Sequence, residues 1–218
     1  RLPRDMRGIR IGSAFGIPIR LDLTFLLVLP LFAWLIGNDV ASLTGVVNDL
    51  FGSAIDVAPL TAGPTQWVLG SAAAIGLFAC VLFHEFGHSL VAIRYGYEIE
   101  SITLWLFGGV ARFAEMPEDW KQEFSIAVAG PIVSLGLGVV AYLGFLLLPT
   151  ALDPIKFVVG YLALTNVVLA AFNMLPGFPM DGGRVLRALL ARTRPHAQAT
   201  KVAAEVGKVF AFLLGIFG

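Results

Sequence analysis

The strongest constraint on this chain is a series of long apolar stretches. A hydrocarbon core about 30 Å thick is crossed by a helix of roughly 20 apolar residues. Five stretches reach or approach that length: Ile17–Ile36, Trp67–Ile93, Phe124–Leu148, Phe157–Leu175 and Val202–Phe217. Because 57% of the residues are hydrophobic and only 14% are charged, the chain is more apolar than a water-soluble core requires. We predict an all-α polytopic membrane protein in which residues 1–218 form one helical bundle of five spans.

The basic residues are distributed unevenly, although the net charge of the chain is zero. Residues 37–66, between the first two predicted spans, include aspartates but no lysine or arginine. Of the 15 Lys and Arg residues, all except Lys156 fall on one side of the predicted bundle. Since basic loops remain on the cytoplasmic side of a membrane, we predict a multi-pass protein of the plasma or inner membrane with a cytoplasmic N-terminus. No nucleic-acid partner is expected.

Between the second and third spans the pattern changes to short alternating, β-branched segments. Glu98–Leu104 and Val110–Phe113 have this pattern, and Gly108-Gly109 lies between them. We predict a strand, a glycine turn and a second strand, which form a small β-hairpin or sheet on the cytoplasmic side. No structure is assigned to the polar segment 37–66.

In the third span, small residues recur every four positions at Gly130, Ser134 and Gly138. This spacing places small side chains on one helical face, where a neighbouring helix can approach closely. We interpret the three residues as packing residues.

The second span contains His84-Glu85-Phe86-Gly87-His88, an HExxH sequence. Residues four apart share one helical face, so both imidazoles can reach one metal ion while Glu85 lies beside it. Ionisable groups in a bilayer cost at least about 2.5–3.5 kcal/mol each, and a divalent cation would compensate for that cost. Arg94 should mark the cytoplasmic end of this helix, which places His84 roughly 15 Å inside that boundary. We predict a zinc site in the cytoplasmic half of the membrane; the alternative is a purely structural histidine pair.

A catalytic zinc ion takes three protein ligands and keeps one position for water. The single cysteine, Cys80, rules out a site with two or more cysteines of this chain. Asp181 is the candidate third ligand, because it follows Pro176 and Pro179 in a segment that cannot be continuous helix and that is expected to line a cavity. The cytoplasmic acids are interpreted as solvated charges: Glu98, Glu100, Glu115, Glu118, Asp119 and Glu123.

HEFGH in the second span, together with NMLPGFPMDGG at 173–183, resembles the site-2 protease family of intramembrane metalloproteases. Residues 16–19, 107–111 and 129–131 are also similar to prokaryotic and archaeal members, so the likeness extends over nearly the whole chain from about Gly8. The resemblance implies that His84, His88 and Asp181 bind one Zn²⁺, that Glu85 is the catalytic acid/base, and that Asn173 lies near the scissile carbonyl. Members of the family have six spans, so the resemblance also implies a sixth span that is missing here.

The expected function is therefore that of an intramembrane zinc endopeptidase acting in regulated intramembrane proteolysis. Its expected partners are the lipid bilayer and single-span membrane proteins, whose unwound segment could join the predicted hairpin by strand addition. Two alternatives remain: a catalytically silent protein that binds transmembrane helices, and an ion transporter. The presence of Glu85 argues against a transporter, which does not require a carboxylate directly after the first histidine of such a pair.

Overall fold

The computed structural model describes residues 8–105, 108–115 and 117–217. Along the chain, its elements are β1 (Ile9–Ala14), β2 (Ile17–Leu21), α1 (Phe25–Asn38), α2 (Val40–Phe51), α3 (Val57–Leu60), α4 (Thr65–Arg94), β3 (Ile99–Trp105), β4 (Gly108–Phe113), α5 (Trp120–Leu147), a 3₁₀ turn (Thr150–Leu152), α6 (Asp153–Asn173), α7 (Asp181–Ala191) and α8 (His196–Phe217). The protein is thus mostly helical and has one small sheet.

Three helices in the described ranges are long and apolar enough to cross a membrane. They are α4, α5 and α6 with the preceding 3₁₀ turn. Helices α1 and α2 together have the required length and apolarity but are bent by 70° relative to each other, so the number rises to four if this pair is one span. The predicted count of five is not confirmed. Helix α8, in the region of the fifth predicted span, carries Lys201, Glu205 and Lys208 and is not among the three.

The predicted first span, Ile17–Ile36, was wrong in its first part. Residues Ile17–Leu21 form strand β2, and helix α1 begins only at Phe25. Between them, Asp22 accepts hydrogen bonds from the backbone N–H and the hydroxyl of Thr24, at 2.9 and 2.7 Å. This turn separates the strand from the helix. The polar segment 37–66, for which no structure was predicted, contains helix α2 and the short helix α3.

The four strands form one sheet in the order β1-β2-β3-β4. Strand β2 pairs with β1 in antiparallel and with β3 in parallel orientation, while β3 and β4 form the predicted antiparallel hairpin. The predicted glycine turn was misplaced, because Gly108 and Gly109 are the first residues of β4 and pair with Trp105 and Leu104. Since β4 is an edge strand, one side of its backbone is not paired within the sheet.

Helix α4 lies at the centre of the bundle, where it packs against α1, α5 and α6. The sheet packs on the half of α4 that carries the HExxH sequence, since Phe86 forms a buried cluster with Ile17 of β2 and Ile102 of β3. Helix α7 packs against α5. The histidines of α4 are therefore surrounded by α5, α7 and the sheet.

Candidate metal centre

The two histidines of α4 are buried, and each is only 3% exposed. They lie one helical turn apart, and their Nε2 atoms are 3.1 Å from each other. Asp181 places its Oδ2 atom 3.0 Å from Nε2 of His84 and 3.1 Å from Nε2 of His88. The structure thus brings the three predicted metal ligands together, although 97 residues separate His84 from Asp181.

The dimensions of this triangle fit a zinc ion. Two ligand atoms that each lie about 2.05 Å from a tetrahedral ion are about 3.3 Å apart. The three observed separations are 3.0–3.1 Å, so a small outward movement of each atom creates the required geometry. Two imidazoles and one carboxylate are also a donor set that catalytic zinc sites use.

Each imidazole is held by a second contact that fixes its orientation. Nδ1 of His88 donates to the carbonyl oxygen of Ile126 at 2.7 Å, and Nδ1 of His84 lies 2.9 Å from the hydroxyl oxygen of Ser134. When Nδ1 carries the proton, the lone pair of Nε2 is directed at the site. Contacts of this kind orient metal-binding histidines in proteins.

Gly130 provides the space that the imidazoles occupy. A Cβ atom at this position would lie 2.6 Å from Nε2 of His84 and closer still to Nε2 of His88. Gly130 and Ser134 therefore serve the site, and their interpretation as packing residues was incomplete. For Gly138 packing is the observed role, because it faces Ala163, Asn166 and Val167 of α6.

Asp181 reaches the histidines because the chain turns back after α6. That helix ends at Asn173, and residues 174–180, which include Pro176 and Pro179, are not helical. Asp181 is the first residue of α7, and its side chain is 12% exposed. The break that the two prolines predicted is present, whereas α7 itself was not predicted.

Glu85 lies beside this triangle of atoms and has a hydrogen-bond partner of its own. Its Oε2 atom accepts a hydrogen bond from the backbone N–H of Ala111 in β4, at 3.2 Å. A carboxylate oxygen of Glu85 is also within 4.8 Å of the histidine nitrogens, but Asp181 contacts both imidazoles at hydrogen-bonding distance. Asp181 therefore completes the triangle of facing atoms with the two histidines, and Glu85 lies beside it. Gly109 of β4 lies against the Glu85 side chain, where a Cβ atom would overlap with it.

Asn173, at the C-terminal end of α6, lines two cavities that adjoin the site. One has a volume of about 360 Å³ and extends towards Phe32 and Phe78, and the other has a volume of about 480 Å³ and extends towards α7. Both cavities are also lined by His84 and Glu85. The side-chain amide of Asn173 donates to the carbonyl oxygen of Leu169 at 2.9 Å, which holds it at the cavity wall.

The interpretation of Glu123 as a solvated charge was wrong. Its side chain is fully buried, and it accepts hydrogen bonds from Arg187 of α7. Nε2 of His196, at the start of α8, lies 3.3 Å from the same carboxylate. Glu123 thus connects α5 with α7 and α8 close to the site, and a single acidic residue in a polar segment gave no indication of this.

The sequence model of Peptidase family M50 matches residues 72–151 and 149–214. Among curated proteins, a Synechocystis relative named a zinc metalloprotease is 38% identical over 209 residues, covering 94% of this chain and 50% of the relative. A zinc metalloprotease of Methanocaldococcus jannaschii is 36% identical over 215 residues, covering 96% of this chain and 53% of the relative. The chain spans about half the length of these relatives.

A solved structure of a similar protein has the same fold. The site-2 protease from Methanocaldococcus jannaschii superimposes with a TM-score of 0.61 at 33% sequence identity. The match covers 97% of this chain and 84% of that chain.

Proposed function

The chain belongs to peptidase family M50, which contains the site-2 proteases, and from this membership we propose that it is an intramembrane zinc endopeptidase. The proposed substrates are single-span membrane proteins, cut within the membrane as in regulated intramembrane proteolysis. The observation that supports this best is the triangle of His84, His88 and Asp181, with Glu85 beside it, among helices apolar enough to span a bilayer.

His84, His88 and Asp181 are the proposed zinc ligands. Their three facing atoms are 3.0–3.1 Å apart, close to the separation of about 3.3 Å that one tetrahedral ion requires, and Ser134 and Ile126 orient the two rings. When bound, zinc supplies a Lewis acid that polarises a peptide carbonyl and makes water more acidic.

Glu85 is the proposed general base and acid. Its carboxylate lies next to the ligand triangle and lines both cavities, so it can take a proton from the attacking water and deliver it to the leaving amine. The hydrogen bond from Ala111 fixes the position of this carboxylate beside the histidines.

Asn173 is the proposed donor to the oxygen of the scissile carbonyl. One N–H of its side-chain amide is used by Leu169, and an amide NH₂ group has a second hydrogen to donate. Because Asn173 lines the same two cavities as Glu85, a peptide bond bound there could contact both side chains.

Strand β4 is the proposed docking edge for the substrate. A helical substrate hides its peptide bonds in internal hydrogen bonds and must unwind before its carbonyl can react. The N–H of Ala111 points away from β3 and towards Glu85, so this edge of β4 opens to the site. An unwound segment can pair with it by strand addition.

The proposed orientation places the sheet, α7 and the N-terminus on the cytoplasmic side. It follows from the distribution of basic residues and from Arg94, which ends α4 ten residues after His84, or roughly 15 Å along the helix. The site would then lie in the cytoplasmic half of the bilayer. In this proposal α8 forms part of the fifth span.

Zinc analysis of the full-length protein, purified in detergent, tests the ligand set together with the role of Glu85. We expect one zinc per chain in the wild type and in Glu85→Gln, and strongly reduced zinc in His84→Ala and Asp181→Ala. Glu85→Gln should cleave no substrate. Zinc retained in Asp181→Ala would refute the ligand set, whereas bound zinc without cleavage by the wild type would favour a silent helix-binding relative. Metal-dependent ion flux in proteoliposomes would favour a transporter.

A further inference from the structure

Arg184 lies on the first turn of α7, three residues after Asp181, and lines the cavity of about 480 Å³. This spacing places Arg184 and Asp181 on neighbouring positions of one helical face. The guanidinium carbon lies 5.5 Å from the ring centroid of Phe113, the last residue of β4. Arg184 therefore stands at the junction of the metal centre and the proposed docking edge.

The guanidinium of Arg184 has donors without acceptors. Its Nε and Nη2 atoms are buried, and neither has a hydrogen-bond partner among the residues that the structure describes. Arg187, one turn further along α7, differs because its guanidinium donates to the buried carboxylate of Glu123. A buried donor without an acceptor has an unfavourable free energy. This indicates that Arg184 donates to a group from outside the chain.

Each of the two carboxylates near Arg184 already has one oxygen atom engaged elsewhere. Asp181 contacts both histidines through Oδ2, and Glu85 accepts the N–H of Ala111. Neither of them forms a hydrogen bond with the buried Nε or Nη2 of Arg184 in the described part of the chain. The acceptor for Arg184 should therefore be an oxygen atom that arrives with the substrate.

Main-chain carbonyls are the acceptors that an apolar transmembrane segment offers. Such a segment has few polar side chains, but once it unwinds its carbonyl groups lose their internal partners, and an unpaired carbonyl in the bilayer is costly. Phe113, beneath the guanidinium, lies two residues from Ala111, which is about 6.6 Å along a strand. A substrate strand that displaces Glu85 from the Ala111 N–H and pairs with β4 there would therefore extend to Arg184.

We propose that Arg184 is a substrate-positioning residue whose guanidinium donates to a main-chain carbonyl of the unwound substrate segment. This role rests on the proposed protease function. The planar fork of the guanidinium can hold one carbonyl through two N–H groups, which would fix the register of the segment relative to Glu85.

Binding of a model peptide to the inactive full-length Glu85→Gln protein tests this role. The probe is a fluorescein-labelled, Lys-flanked, Leu/Ala-rich peptide of about 24 residues with a central Pro-Gly, long enough to span the bilayer. In the same background, Arg184→Met should weaken binding about 10- to 100-fold, because a hydrogen bond to a charged donor is lost. Arg184→Lys should bind with intermediate affinity, since it keeps the charge but not the fork.

Thioamide peptides separate a carbonyl contact from a structural effect. Each carbonyl near the central Pro-Gly is replaced in turn by a thioamide, which is a weaker acceptor. We expect one position to weaken binding to the Arg184 protein about 10-fold and to have no effect on Arg184→Met, as a direct contact requires in a double-mutant cycle. Arg192→Met is the matched control, because Arg192 stacks over Trp120 instead of lining the cavity.

The possible results are distinct. Equal peptide affinity in Arg184→Met and Arg192→Met would overturn the role of Arg184 and leave the protease proposal intact. The role of Arg184 would also be overturned if Arg184→Met binds weakly but each thioamide weakens binding to Arg184→Met as much as binding to the Arg184 protein. The protease proposal would again remain intact. A peptide that binds none of the variants would contradict the proposed function as well.

Discussion

The substitution Gly130→Ala should strongly weaken zinc binding, although alanine stabilises helix α5, which contains this position. Alanine is preferred to glycine inside a helix by about 1 kcal/mol, so α5 should remain folded. The new Cβ atom, however, would lie 2.6 Å from Nε2 of His84 and nearer to Nε2 of His88. A carbon–nitrogen contact needs about 3.4 Å, so the His84 ring must move by roughly 0.8 Å and the His88 ring by more, whereas metal–ligand distances tolerate only about 0.2 Å.

We therefore expect a loss of zinc affinity of at least about 100-fold, which corresponds to about 2.7 kcal/mol. The assay is competition with a fluorescent zinc chelator, together with thermal unfolding of the zinc-free protein. Gly136→Ala is the matched control, because it lies on the same helix and a Cβ atom there meets nothing within 4 Å. Unchanged zinc affinity in Gly130→Ala would refute the proposed arrangement of the two histidines around the ion.

Three further results are expected. Ser134→Ala should lower zinc affinity about 10- to 100-fold by releasing the His84 ring. Ser89→Ala, which removes a buried hydroxyl without a described partner, should leave zinc affinity unchanged. Equal effects of the two substitutions in the chelator assay would contradict this. Asn173→Ala should reduce the rate of cleavage about 100- to 1,000-fold with unchanged zinc content, and a full rate would exclude the proposed donor. Glu123→Ala should lower the free energy of unfolding by about 3–5 kcal/mol, because the charge of Arg187 loses its buried partner. Glu205→Ala, at an exposed ion pair, should leave the free energy of unfolding unchanged. Equal free energies of unfolding for the two variants would refute this.

That His84, His88 and Asp181 lie close together could be predicted because their positions depend on local patterns. The spacing of His84 and His88 places both rings on one face of any helix. Two closely spaced prolines before Asp181 disfavour a continuous helix, although single prolines lie within α1 and α5. These patterns predicted the neighbourhood of the three residues, but not the distances between them, which depend on how α7 packs against α5.

The supporting residues could not be identified in the same way. Small residues on a helical face are equally suitable for close packing and for making room for a side chain, and the sequence does not distinguish Gly130 from Gly138. The role of each small residue depends on whether the neighbouring helix places a histidine or an aliphatic side chain against it. Arg184 was similarly indistinguishable from the other arginines of the basic segment after α6.

The first strand pair was missed because the strand is apolar and adjoins an apolar helix. The residues of β2, including Ile17 and Ile19, have the hydropathy of a membrane span, and the two elements merge into one apolar stretch of about the length expected for a span. The turn formed by Asp22 and Thr24 was the available indication of a boundary. Pairing with β3, which lies far along the chain beyond α4, depends on tertiary structure.

The most direct test of intramembrane proteolysis is to map the products formed from a single-span membrane protein by the full-length protein in proteoliposomes. We expect cleavage that mass spectrometry places within the membrane-spanning segment, that a chelator abolishes and zinc restores, and that is absent in Glu85→Gln. Cleavage only outside the membrane segment, or cleavage that persists in Glu85→Gln, would contradict this expectation.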